Sequence, residues 1–207
     1  MIPRFVAAVL LAGSCLAQNT ARKEITVPAN ILSKYIGTYQ MAPGVNMMIR
    51  LVGDQLTVQL SGQGQIPLFP ESETMFFPKV VDAEVEFGTD DKGAYLILHQ
   101  NGSDQKAPRT SDTVAEKKEI AVSSKILSQY VGTYELQPGF DMVVTLEGDQ
   151  LVTQATGQGK LPIFAESETK FFPKAIDAEI DFLRDEKGAV MYLVLHQGPV
   201  EIKARRK

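Results

Sequence analysis

Apolar and polar residues alternate strictly over several short stretches of this chain. Met47, Ile49 and Leu51 share one face, and Met142, Val144 and Leu146 repeat the pattern. Gly53-Asp54 and Gly148-Asp149 then supply turn residues. Leu56, Val58 and Leu60 return along the same face, matched later by Leu151, Thr153 and Ala155. A period of two with one apolar face predicts antiparallel strands over a core. Further strands are expected at 66–69, 74–77, 83–87 and 94–100. In the third of these Ala83, Val85 and Phe87 face in, and Glu84 and Glu86 face out. Asp90-Asp91-Lys92-Gly93 and Asp185-Glu186-Lys187-Gly188 read as turns.

The pattern is written twice. Residues 31–94 and 126–189 align without a gap at an offset of 95, with 37 identities in 64 positions. That period is too long for a solenoid and fits whole small domains in tandem. Each copy opens on a short helical signal. Ser123 or Ser124 is placed to cap a helix through Ile126, Leu127 and Tyr130, and Gly132 to stop it. Pro28 and Gly37 are the matching punctuation in the first copy. Two turns of helix are unstable alone, so packing must hold them. Tyr130 is expected to plug one barrel end and Tyr134 to pack where the barrel closes, as Tyr35 and Tyr39 do in copy one. The second copy carries two extra residues, placed at Val190-Met191. An insertion of two keeps every later side chain on its face, so His99 and His196 stay equivalent. The division expected is 1–17 leader, 22–109 first repeat, 110–116 polar linker and 117–206 second repeat. Some seven or eight short antiparallel strands per copy hide their edges best by curling into a barrel or half-barrel.

The ends and the charge narrow the function. Arg4 followed by Phe5-Val6-Ala7-Ala8-Val9-Leu10-Leu11 and Cys15-Leu16-Ala17 reads as a secretory signal cut near Ala17. The apolar run is far shorter than the roughly 20 residues of a membrane span. A periplasmic or secreted protein is therefore expected. The minority alternative is a lipoprotein anchored at Cys15, through a weak lipobox at Ala12-Gly13-Ser14-Cys15. Cys15 is also the sole cysteine, so a cleaved chain would hold no disulfide and no thiolate site. The formal net charge of -4 argues against nucleic acid, which needs concentrated Lys and Arg.

Little in the chain reads as chemistry. Ser167-Glu168-Thr169-Lys170 matches the S-x-x-K pattern of penicillin-recognising hydrolases. The first copy reads Ser72-Glu73-Thr74-Met75, without the lysine, and no Lys-Thr-Gly or Ser-Asp-Asn accompanies it. His99 and His196 are the only histidines, too few for a metal site. Each is expected to be a hydrogen-bonded strand residue, with a polar ligand contact as the alternative. Gly62-Gln63-Gly64-Gln65 and Gly157-Gln158-Gly159-Lys160 fail the phosphate-loop pattern and read as tight turns or bulges requiring positive φ. Glu71, Glu73 and Asp82, with Glu166, Glu168 and Asp177, read as turn and surface acids. Phe76-Phe77 and Phe171-Phe172 are the best lead to an interaction surface, because alternation turns one ring of each pair outward. The alternative is that strand curvature or the short helix covers it. No catalytic residue, cofactor or metal is expected.

The ordered set Tyr130–Tyr134, Pro138-Gly139, Gly148–Leu151, Thr156–Gln158, Glu166–Phe172 and Leu193–Gln197 resembles a known family. It is similar to the small C-terminal domain of β-lactamase-related, penicillin-binding-protein-like serine peptidases and esterases. The first copy carries nearly the same set. The resemblance implies an all-β fold of two tandem lipocalin-like β-barrels, each with a short N-terminal helix. It also implies an accessory role without catalytic residues, such as assembly or shaping access to a neighbouring hydrolase domain. The hydrolase domain itself is missing from this chain. The leading expectation is association with a partner protein or with itself. The second is a small apolar ligand carried in the barrel, with any cavity larger in copy two, where Thr153 and Ala155 replace bigger residues. A hydrolase-related enzyme is the third.

Overall fold

A computed structural model describes residues 22–207. The expected leader and cut site, and Cys15, lie outside the described residues. Each copy forms a closed eight-stranded antiparallel barrel. In the first, the strands are β1 Gly37–Ala42, β2 Val45–Val52, β3 Gln55–Leu60, β4 Ile66–Pro70, β5 Met75–Phe77, β6 Ala83–Asp90, β7 Gly93–Gln100 and β8 Ser103–Ser111. In the second they are β9 Gly132–Gln137, β10 Phe140–Glu147, β11 Gln150–Ala155, β12 Leu161–Ala165, β13 Lys170–Pro173, β14 Glu179–Arg184, β15 Val190–Gln197 and β16 Val200–Arg206. Neighbours in sequence are neighbours in space, and closure comes from β1 on β8 and β9 on β16. Such closure removes the free edges that an open sheet would present.

The alternation places the core. Met47, Ile49, Leu56, Val58, Leu68, Phe76, Val85, Phe87, Leu96 and Ala107 fill the first barrel, and the matching positions fill the second. A chamber of several hundred Å³ would leave its lining residues in contact with void. Instead Val144, Leu151, Ile163 and Leu193 are essentially inaccessible, and Thr153 is buried with its hydroxyl donating to the Leu161 carbonyl at 3.2 Å. Among the described residues, these wall positions show no accessible chamber in copy two.

Three local readings change. The helices are single turns, α1 Ala29–Leu32 and α2 Ser124–Leu127, each continued by a 3-10 turn to Tyr35 or Tyr130. Ser123 holds the cap position but makes no side-chain cap bond. Gly132 does not end the helix by a left-handed turn. It opens β9, where an added Cβ would lie 2.7 Å from Arg206 Nε. The polar stretch after residue 100 forms β8, which extends to Ser111. Only Ala107 of that strand is fully buried, so an apolar period could not reveal it.

Candidate docking groove

The hydrogen bonds between the two barrels come from the loop after β3, and the turn at Gly44 also lies against Pro199, where an added Cβ would sit 3.8 Å from the proline Cβ. After β3 the chain turns at Gly62, where φ is +81°, and runs through Gln63-Gly64-Gln65 against the second barrel. Gly62 N–H donates to Asp177 Oδ2 at 3.3 Å, and Asp177 N–H donates to the Gln63 carbonyl at 3.0 Å. Gln197 Nε2 donates to the Gly62 carbonyl at 2.8 Å, and Gly64 pairs with Ile176 in an isolated antiparallel bridge. The backbones approach so closely that a Cβ on Gly64 would sit 3.2 Å from the Ala175 carbonyl. One on Gly198 would sit 3.2 Å from the Ser61 carbonyl. Glycine is needed here for close approach as well as for its turn.

A groove at the end of the β14–β15 pair borders the receiving residues. Ser61, Lys117, Asp177, Ala178, Glu179, His196 and Gly198 line about 210 Å³. The first barrel carries the corresponding groove, about 190 Å³, with Arg22, Asp82, Glu84, His99 and Asn101 in the places of Lys117, Asp177, Glu179, His196 and Gly198. Ladder register fixes the pairing: Glu84 stands opposite His99, and Glu179 opposite His196. Of the two extra residues of copy two, one is taken up at a bulge between Leu183/Tyr192 and Arg184/Val190 and the other lengthens the turn closed by Asp185 and Ala189. The histidines keep their face.

Each histidine sits between carboxylates. His99 Nδ1 is 2.7 Å from Asp104 Oδ1, and Nε2 is 3.4 Å from Glu86. The hydrogen bond to Asp104, with help from Glu86, raises its pKa above the usual value despite partial burial. His196 Nε2 is 3.0 Å from Asp181 and Nδ1 is 3.5 Å from Glu201. Cations floor the grooves: Arg22 on Glu84 at 2.5 Å, and Lys117 on Glu179 at 3.0 Å. Burial pushes the Glu179 carboxyl up, but hydrogen bonds from Lys170 and Lys117 outweigh it and hold its pKa low.

Ser167 and Lys170 form a turn. Ser167 Oγ accepts the backbone N–H of Lys170 at 3.0 Å and of Thr169 at 3.3 Å. Ser72 Oγ accepts those of Met75 and Thr74 in the same way, so the geometry does not need the lysine. Lys170 Nζ is committed to Glu179 at 2.7 Å, and that bond raises its pKa. A general base requires the opposite shift.

Phe76, Phe77, Phe171 and Phe172 are all buried. Phe76 and Phe171 pack inward against Phe87 and Phe182. Outside, Phe77 lies against Phe69 and beneath Arg22, with Lys79 over Phe69. Phe172 has the matching cover in Phe164, Lys117 and Lys174. The outward rings thus find cover within their own copy. The groove and the glycine loop were not paired by sequence reasoning. The identical Gly-Gln-Gly in both copies was the available signal.

A family model described as a domain of unknown function (DUF3471) matches residues 21–107 and again 116–205. The chain is also 38% identical over 93 residues to penicillin-binding protein 4* of Bacillus subtilis (strain 168). That match covers 45% of this chain and 21% of the relative, so the chain corresponds to a minor part of that protein's length.

Proposed function

Because this chain belongs to the DUF3471 family through both of its copies, we propose that it is a non-catalytic accessory pair of barrels acting by protein association. The observation that carries this reading is the groove of the second barrel, which receives a backbone loop from another folded unit. Filled barrel interiors favour association over carriage of an apolar ligand. The structural commitment of Ser167 and Lys170 favours it over hydrolysis. Among the described residues no helix is long and apolar enough to cross a membrane. The composition of Met1–Ala17 supports action in the periplasm or outside the cell.

Cross-linking of the full chain in extract of its own host, read by mass spectrometry, tests the association. Cross-links from the groove margins to a second polypeptide, of this or another sequence, are expected. Recovery of intramolecular links alone overturns the proposal. A fluorescent penicillin tests the enzymatic alternative: labelling that Ser167→Ala abolishes would establish a catalytic serine.

A further inference from the structure

The docking contact within the chain uses one loop and one groove, yet the chain owns two of each. The second loop and the first groove are both open. Gly157 repeats the turn of Gly62, with φ +75° against +81°. Gln158 and Gly159 repeat Gln63 and Gly64. A Cβ on Gly157 or Gly159 would meet nothing within 4 Å among the described residues. At the margin of the first barrel's groove, Val80 is 72% exposed, Val81 41%, and the Asp82 side chain 88%. These residues stand at the places of Ala175, Ile176 and Asp177, which receive the Gly62 loop.

We propose that this chain associates head to tail with further copies of itself. Residues Thr156 to Lys160 of one copy enter the open groove of the next copy's first barrel. The proposal rests on the association reading above and specifies its partner and surface. Each hydrogen-bonded contact of the docked loop has its counterpart, whereas the approach of Gly44 to Pro199 does not, since Gly102 stands at the proline's place. Asp82 replaces Asp177 as acceptor for the first glycine N–H and as donor to the glutamine carbonyl. Gln100 replaces Gln197 as donor to the first glycine carbonyl. Val81 replaces Ile176 opposite the second glycine. Asn101 holds φ at +53°, as Gly198 does at +56°, so the hairpin tip has the required backbone.

Two differences set the strength. Asn101 brings a Cβ to a position where 3.2 Å separates the corresponding Gly198 probe from the Ser61 carbonyl, so the loop must give by a few tenths of an ångström. Lys160, paired with Glu147 at 2.5 Å within its own barrel, replaces Gln65 and would exchange that partner for the groove acids Asp82, Glu84 and Asp104, two of which Arg22 already faces. The internal contact also benefits from its tether, which the contact between copies lacks. A loop-sized interface, well under about 1,200 Å², belongs to the weak class. The contact joins unlike surfaces, so it repeats into rings or open chains rather than stopping at a symmetric pair.

The test is sedimentation velocity of the full chain from about 10 μM to about 1 mM, the range of weak contacts. The expected result is a mean mass that climbs with concentration and passes the dimer. Gly159→Val blocks the loop at a position with open space and ordinary φ, so the fold is preserved. Val81→Arg blocks the groove at an exposed site and repels Lys160. Each variant alone should stay monomeric. Mixed in equal amounts, the intact loop of Val81→Arg meets the intact groove of Gly159→Val, so the mixture should form a heterodimer, and the leftover blocked loop and blocked groove should stop any higher species. A wild-type chain monomeric throughout, as a different occupant of the groove would leave it, overturns self-association. So does growth that neither variant alters. In both cases cross-links to a second protein would still uphold association in general.

Discussion

Tyr130 shows how one residue can hold a barrel. Its ring stacks on Phe182 at 4.3 Å and meets Phe171 edge-on at 5.5 Å. Its hydroxyl donates to the Glu168 carbonyl at 2.7 Å and receives Arg184 at 3.1 Å. Tyr134 then donates to the Tyr130 carbonyl at 2.8 Å. Tyr35, Tyr39 and Phe87 repeat the arrangement in the first barrel. Tyr130→Ala should cost about 3–5 kcal/mol, read by calorimetry as loss of the second barrel's transition. Burial raises the Tyr134 pKa to about 12. The unfolded phenol ionises near 10, so this stability is intact below pH ~10 and lost between there and about 12. Burial raises Tyr35 and Tyr39 in the same direction, so absorbance at 295 nm should show a late-titrating group of tyrosines that includes Tyr134, with the melting point falling over the same range. The hydrogen bond to Asp104 raises the pKa of His99. Its stabilisation is complete below the unfolded value near 6.5 and disappears as pH rises through the folded one. NMR titration should place His99 above that value, and Asp104→Asn should bring it down. The tyrosines could be anticipated from their repetition, but the carboxylates around His99 belong to separate strands.

At the scale of elements, the strands with an apolar face were legible and the closing strands were not. β2, β3 and β6 carry period-two patterns because one face meets the core. β8 earns its place by ladder bonds to β7 and β1, and its side chains are mostly wet. The closing seam also explains the two glycines once read as helix stops. Gly37 has φ +150°, and a Cβ there would lie 2.3 Å from the Ser111 carbonyl. At Gly132 the three atoms nearest an added Cβ all belong to the Arg206 side chain. Gly37→Ala should therefore destabilise its barrel by more than about 1 kcal/mol, and clearly more than Gly132→Ala. Urea denaturation of the two variants compares them directly. A backbone carbonyl in the seam cannot move aside, whereas a guanidinium can.

Across the whole molecule, duplication supplied two loops and two grooves, and the fold used one of each. Gly64→Val should part the barrels, because its Cβ meets the Ala175 carbonyl. X-ray scattering should then show a larger radius of gyration with unchanged far-UV circular dichroism. The sequence by itself determined the all-β class, the tandem repeat, the paired tyrosines and the turn glycines. These follow from local periodicity and from identity at a fixed offset. Only the tertiary structure decided that the barrels are filled, that the outward phenylalanines are covered, and that a Gly-Gln-Gly turn meets Asp177. Those facts depend on which atoms converge from distant strands, and no one-dimensional spacing records that convergence.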